Sequence, residues 1–135
     1  MHSKKINVSK DHIDCQNILD NIHYAYYYEL ARHEHFAKFG KTVEKLSEEG
    51  INAVLLDEHI KFKKPITGGE IEVTNKFSKL SRIKFVANQE IKVEGKVVST
   101  NRCEITCIPS AGGRPFFPEY LNQFISDDSD SQLPS

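Results

Sequence analysis

The chain has 135 residues, 39% of them apolar and 27% charged, with a net charge of −1. That length suits one domain with its own core and leaves no room for a separate cofactor domain, and the small net charge gives no support to a general nucleic-acid role. No apolar run approaches the roughly 20 residues needed to span a bilayer, and the opening MHSKKINVSK has no apolar stretch of the kind a secretory signal needs. The odd set of three cysteines, Cys15, Cys103 and Cys107, is therefore expected to be reduced, in the cytosol. Cys103 and Cys107 fall four apart in a strand-like segment, about 13 Å, too far for a disulfide.

In chain order, a short strand is expected over residues 5–9, with Ile6 and Val8 on one face and frayed polar residues before it. A loop, DHIDCQNILD, leads to a long helix over 21–39, with Asp20 as N-cap and Gly40 as the residue that ends it. The helix carries Ile22, Ala25, Tyr26 and Phe36 on one side and Tyr24, Tyr27, Tyr28 and Ala31 on others, so it is expected to be buried on most of its girth. A short helical turn over 42–49 closes at Gly50.

Four strands follow. They are expected over 53–62, 70–80, 82–93 and 97–108. Pro65 with Gly68-Gly69 marks one turn, and Glu94-Gly95 marks a hairpin. Period-two alternation puts Ile71, Val73 and Phe77 in phase, and likewise Ile83, Phe85, Ala87, Ile91 and Val93, with Gln89 out of place on that face. Pro115 and Pro118 break the chain before a short closing helix over 119–124, and the acidic residues 126–135 read as a disordered tail. The layout is α+β: a sheet of about five antiparallel strands around one long helix, in a domain of residues 1–125. The second sheet face and the edges then call for a partner copy.

Read by itself, Asp14 is a loop carboxylate that serves equally as a turn cap or as a base. Glu29 invites an ion pair with Arg32 or His33 one helical turn away. Cys15 has His12 and His23 nearby in sequence, but no third orienting group, and its acidic neighbour disfavours a thiolate. His33 and His35 are two apart and diverge on a helix, so no metal site is expected, and no cofactor.

The junction Asp14-Cys15-Gln16-Asn17-Ile18-Leu19-Asp20-Asn21-Ile22-His23-Tyr24, followed by Tyr28-Glu29-Leu30-Ala31-Arg32, resembles the 4-hydroxybenzoyl-CoA thioesterase group of hot-dog proteins. Phe62-Lys63-Lys64-Pro65-Ile66-Thr67-Gly68-Gly69-Glu70 is similar to a hairpin of that family, and Gly113-Arg114-Pro115 through Pro118 to its exit from the last strand. The order and spacing of the three matches span most of the chain. Asn17 stands where the family usually has Gly, Ile18 and Asp20 replace the His and first Asn of one branch, and His12 stands where many members have Asp.

What the resemblance implies is an acyl-CoA thioesterase with a hot-dog fold. Asp14 would be the catalytic carboxylate, as nucleophile or general base, and the Asn21 N–H at the helix start would polarise the thioester carbonyl. Arg82 matches a family position that contacts the CoA phosphates, and Lys84, on the same strand face, would assist, with Lys63, Lys64 and Arg114 as weaker candidates. Some hot-dog thioesterases carry the acid on the helix, which makes Glu29 the competitor. The family site lies between subunits, so a homodimer or homotetramer is expected. Hydrolysis on acyl carrier protein and acyl-CoA binding without turnover remain the alternatives.

Overall fold

The computed structural model describes residues 1–123 and 125. The chain runs β1 (His2–Asn7), α1 (Tyr24–Lys38), α2 (Val43–Glu48), β2 (Ile51–Phe62), β3 (Glu70–Lys79), β4 (Lys84–Val93) and β5 (Lys96–Pro109). Single 3-10 turns occupy Lys10–His12, Asn21–His23 and Glu119–Leu121. The five strands form one antiparallel sheet in the order β1-β3-β4-β5-β2. The α+β reading is correct, with the four strands after Gly50 near their expected bounds. The closing helix opens as a 3-10 turn, Glu119–Leu121, and continues with helical backbone at Asn122 and Gln123; Phe124 and the acidic tail lie outside the described residues.

Two local expectations change. The first residues are not frayed: His2 to Asn7 pair in register with Asn75 to Glu70 of β3. Lys4 and His2 reach across to Glu34 on α1, tying the strand down from its other side. The long helix also begins differently. Asp20 accepts from the Ile22 N–H at 3.2 Å, so it caps a 3-10 turn, and the α-helix starts only at Tyr24. Its end is as expected. Gly40 takes φ +78°, and the Gly40 and Lys41 N–H groups bond the Ala37 and Phe36 carbonyls, the Schellman arrangement that absorbs the last free acceptors.

Burial of α1 is one-sided rather than all-round. Tyr24, Tyr27, Tyr28, Ala31, Arg32, His35 and Phe36, spaced three and four apart, pack against the sheet. Ile22 and Tyr26, read above as helix core, are 72% and 49% exposed. A single sheet can cover only one face of a helix, and among the described residues Ile22 and Tyr26 are left uncovered on the other. The core has two centres. One joins Tyr27 and Tyr28 to Ile71, Val73 and Ile91, and the second joins Phe36 to Phe77, Phe85 and Ile105. Burying each large side chain contributes about 1.5–3 kcal/mol.

A polar seam runs through this core. The Tyr28 hydroxyl donates to Ser99 Oγ at 2.7 Å, and Ser99 donates to the Lys61 carbonyl at 2.8 Å. Gln89, the residue that breaks the alternation of β4, points inward after all. Its amide donates to the Tyr28 carbonyl at 2.9 Å, and its oxygen accepts from Arg32 and Asn101, both at 3.1 Å. The register of β2 against β5 slips between Leu55 and Asp57. That bulge at Leu56 turns Glu58 to the inner face, where it accepts from Asn101 at 3.0 Å and lies 3.5 Å from Arg32.

Glu34 gives a pH test of the β1–α1 tie. Hydrogen bonding from Lys4, with His2 assisting against the opposing effect of burial, holds its carboxyl below the ordinary value of 4.5. A folded-state value below the unfolded one means stability that is present above the unfolded value and lost as pH falls through the folded one. Both partners are substantially exposed, so Glu34→Gln is expected to cost only about 0.5 kcal/mol at neutral pH. The gap to wild type should close on acidification below about pH 4, as read by urea denaturation across pH.

Candidate active site

Asp14 sits in a loop whose shape is set by its own backbone and carboxylate. The Asp14 N–H donates to the Ile18 carbonyl at 2.9 Å and the Asn17 N–H to the Asp14 carbonyl at 3.0 Å. The Asp14 Oδ1 accepts from the Gln16 N–H at 2.8 Å and lies 3.5 Å from the Ile18 nitrogen. Ile13 and Leu19 then close the loop as an antiparallel bridge. The turn requires a left-handed residue, and Asn17 supplies it at φ +63°. This is where the resemblance places Gly, and Asn is among the few other residues that adopt this conformation readily. The loop is anchored from outside by Leu19 N–H to the Ile66 carbonyl (2.7 Å) and Asp20 N–H to the His12 carbonyl (3.0 Å).

The loop delivers the chain to the helix with one donor unused. Of the first N–H groups, that of Ile22 goes to the Asp20 side chain, that of His23 to the Asp20 carbonyl and that of Tyr24 to the Asn21 carbonyl. Among the described residues the Asn21 N–H has no acceptor, and neither does a hydrogen bond reach the second oxygen of Asp14. Both residues line one open depression of about 450 Å³, together with Tyr24, Phe62, Lys63 and Lys64. Phe62 meets the Tyr24 ring edge-on at 4.7 Å. Asp14 and Asn21 line one space, and a carboxylate beside an N–H at the positive end of a helix can activate a nucleophile and stabilise the negative charge it creates.

The other candidates fall elsewhere. Arg82 is not on a strand: it is exposed in the turn before β4, and Lys84 is the first residue of that strand, 4.0 Å from Glu104. The depression lies by the start of β3 and Arg82 by its far end, about 30 Å away along ten residues of strand. One chain therefore brings Lys63 and Lys64 to Asp14, and not Arg82 or Lys84. Glu29 is half-exposed on the open face of α1 and lies 3.4 Å from His33, the local pairing expected above. Cys15 is exposed, while the His12 ring stacks on His23 at 4.0 Å and bonds the Tyr27 hydroxyl at 2.6 Å, so no Cys–His pair forms. Burial pushes the Cys103 thiol up to about 12 and Cys107 to about 11, far from a thiolate.

A family model described as the thioesterase-like superfamily matches residues 8–125. The chain belongs to that superfamily. By class it is a thioester hydrolase, and its architecture is the hot-dog fold that the resemblance implied. No curated protein matches the sequence. Among solved structures, it superposes on a Staphylococcus aureus protein determined in complex with CoA, with a TM-score of 0.88 at 18% identity over 99% of this chain and 87% of that one. It also superposes on a 1,4-dihydroxy-2-naphthoyl-CoA thioesterase from Synechocystis (0.85, 14% identity, 93% and 96% covered). An Aquifex aeolicus protein matches as well (0.85, 23% identity, 91% and 98% covered). Among the described residues no helix is long and apolar enough to cross a membrane.

The loop geometry has a direct consequence. Asn17→Gly is expected to be neutral or slightly stabilising, whereas Asn17→Val, β-branched at positive φ, should cost about 1–2 kcal/mol. Thermal denaturation of both variants checks this; equal losses would mean that the loop does not need the left-handed turn.

Proposed function

We propose that the protein hydrolyses acyl-CoA thioesters, with Asp14 as nucleophile or general base and the Asn21 N–H as the oxyanion donor. The observation that carries this reading is the pairing, in one depression, of an unbonded Asp14 oxygen with the one unbonded N–H of the helix start. Asp14 either attacks the carbonyl carbon, giving a mixed anhydride that water then opens, or takes a proton from a water that attacks directly. In both routes the carbonyl oxygen gains charge opposite the Asn21 N–H, the C–S bond breaks and the CoA sulfur leaves and takes a proton.

CoA brings phosphates to the rim of the depression, where Lys63 and Lys64 stand exposed. Arg82 and Lys84, at the far end of the sheet, join this role only across a subunit boundary. The structure of a relative with CoA bound supports CoA over an acyl carrier protein as the thiol carrier. A second copy is favoured by β2: it is an edge strand of twelve residues with Leu55 and Leu56 exposed. A long apolar edge of this kind pairs readily with its own copy about a two-fold axis, giving a homodimer or a dimer of dimers. The free thiols of Cys15, Cys103 and Cys107 support a cytoplasmic setting.

Thiol release from short, long and aromatic acyl-CoAs tests the proposal. Asp14→Ala is expected to lower kcat by about 10²–10⁴ with the fold intact, and Lys63→Ala with Lys64→Ala to raise KM more than it lowers kcat. If Asp14→Ala keeps its activity and Glu29→Ala does not, the catalytic carboxylate is the one on the helix. Light scattering should give a mass of at least two chains; a monomeric mass would remove the shared-site arrangement.

A further inference from the structure

Two residues before Asp14, His12 ties the loop to the residues around it. Its backbone carbonyl accepts from the Asp20 N–H at 3.0 Å, and Asp20 precedes Asn21 in the chain. Its ring Nδ1 lies 2.6 Å from the Tyr27 hydroxyl, in the first turn of α1, and the ring stacks on His23 at 4.0 Å. Tyr27 is 1% exposed, and the same hydroxyl accepts from the Ser9 N–H at 3.0 Å. Ser9 caps the 3-10 turn that His12 ends, so one phenol holds both ends of the approach to Asp14. These bonds all lie within one chain and do not depend on which surface a second copy covers.

The same contacts fix where the protons are. A phenol has one proton to give and two lone pairs. The Ser9 N–H donates to it, so the Tyr27 proton has only His12 Nδ1 as acceptor among the described residues. Nδ1 then carries a lone pair, and His12 is neutral with its proton on Nε2. A proton added at Nδ1 turns this acceptor into a second donor to the same oxygen. The buried Tyr27 O–H is then left without an acceptor, and a cation lies on the face of the His23 ring. The titratable side chains against the His12 ring are His23, Tyr26 and Tyr27. Among the described residues no carboxylate bonds or pairs with that ring: Asp20 caps the Ile22 N–H, and Asp11 is exposed.

We infer that His12 is a positioning residue for the thioester site, and that a proton on its Nδ1 switches the site off by releasing the Asp14 loop from α1. The inference rests on the reading of Asp14 and Asn21 as the groups that meet the thioester. Asp14 is two residues from His12 and Asn21 is one from Asp20, so the tie from Tyr27 through His12 to Asp20 sets how the two sit relative to each other. Neither His12 nor Tyr27 lines the depression, so both act through Asp14. A displacement of a reacting group by about 1 Å is enough to lower its rate markedly.

The test measures kcat and KM between pH 5 and pH 8, the range in which histidines exchange protons, on an acyl-CoA that wild type hydrolyses. The variants are Tyr27→Phe, His12→Leu and His12→Asn; the last keeps an acceptor near the place of Nδ1 and takes up no proton. At pH 8, Tyr27→Phe and His12→Leu are expected to lose about tenfold in kcat with KM little changed, and His12→Asn to stay within about threefold of wild type. From pH 8 to pH 5, wild type should lose about tenfold more kcat than His12→Asn, since a loss through Asp14 itself is common to both. Nitrogen NMR of wild type at pH 8 should show His12 with its proton on Nε2. A proton on Nδ1 at that pH, coincident pH profiles of wild type and His12→Asn, His12→Asn no faster than His12→Leu, or a Tyr27→Phe that melts lower yet keeps its kcat would each overturn this inference and leave the thioesterase reading standing. No turnover of short, long or aromatic acyl-CoA by wild type, or full activity in Asp14→Ala, would overturn both.

Discussion

Burial of one face of α1 on the inner surface of the sheet is the contact on which the rest of the molecule depends. The sheet has an apolar inner face too wide to leave in water, and α1 is the only long helix available among the described residues to cover it. Once the Tyr27, Tyr28, Ala31 and Phe36 side is committed to the sheet, the direction of the helix is set. Its N-terminus then points to the space where Phe62 ends β2 and where Ile66 holds the incoming loop. The candidate site is a by-product of that placement: Asp14 and Asn21 line one depression because the loop is pinned at Leu19 and Asp20 and the helix is pinned by its tyrosines.

The same burial forces the polar seam. Sealing Arg32 under the sheet removes a guanidinium from water, which is tolerable only with partners at hydrogen-bond distance. Gln89, Asn101 and Glu58 supply them, and each costs a position that would otherwise hold an apolar side chain. The bulge at Leu56 belongs to this arrangement. Without the extra residue, Asp57 and not Glu58 would continue the inner face, and the shorter side chain would have to bridge to Arg32. One edge of the core is therefore held by geometry that tolerates few substitutions, while the facing side of α1 remains open.

Much of this was legible from residue order. Alternation marks the strands, Glu94-Gly95 makes its hairpin with φ +52° and +79°, and Gly40 stops the helix, while Asp20 caps the 3-10 turn that precedes the helix. Asn17 was legible too, as a residue able to replace Gly where the backbone turns left-handed. The misreadings have a common origin. Arg82 reads as strand because it precedes an alternating run, but Ser81 folds back on the Ile83 and Lys84 N–H groups and holds it in a turn. Ile22 and Tyr26 read as core because they are apolar, and hydrophobicity does not tell which face of a helix has something to pack against. Gln89 carried the one hint of the buried network, as a polar residue in an apolar phase.

By itself the sequence determined what depends on neighbours along the chain: the elements, their caps and turns, the family pattern around Asp14, and hence the kind of fold and the kind of chemistry. Only the tertiary structure decided which N–H stays unbonded, which oxygen of Asp14 stays free, that Lys63 and Lys64 stand beside the carboxylate while Arg82 stands at the far end of the sheet, and that Arg32 is a buried group rather than a surface charge. The physical reason is that hydrogen-bond satisfaction and burial belong to pairs of groups far apart in the chain. Arg32 meets Cys103, and Tyr28 meets Ser99, across 71 residues, and no local pattern encodes a pairing of that range.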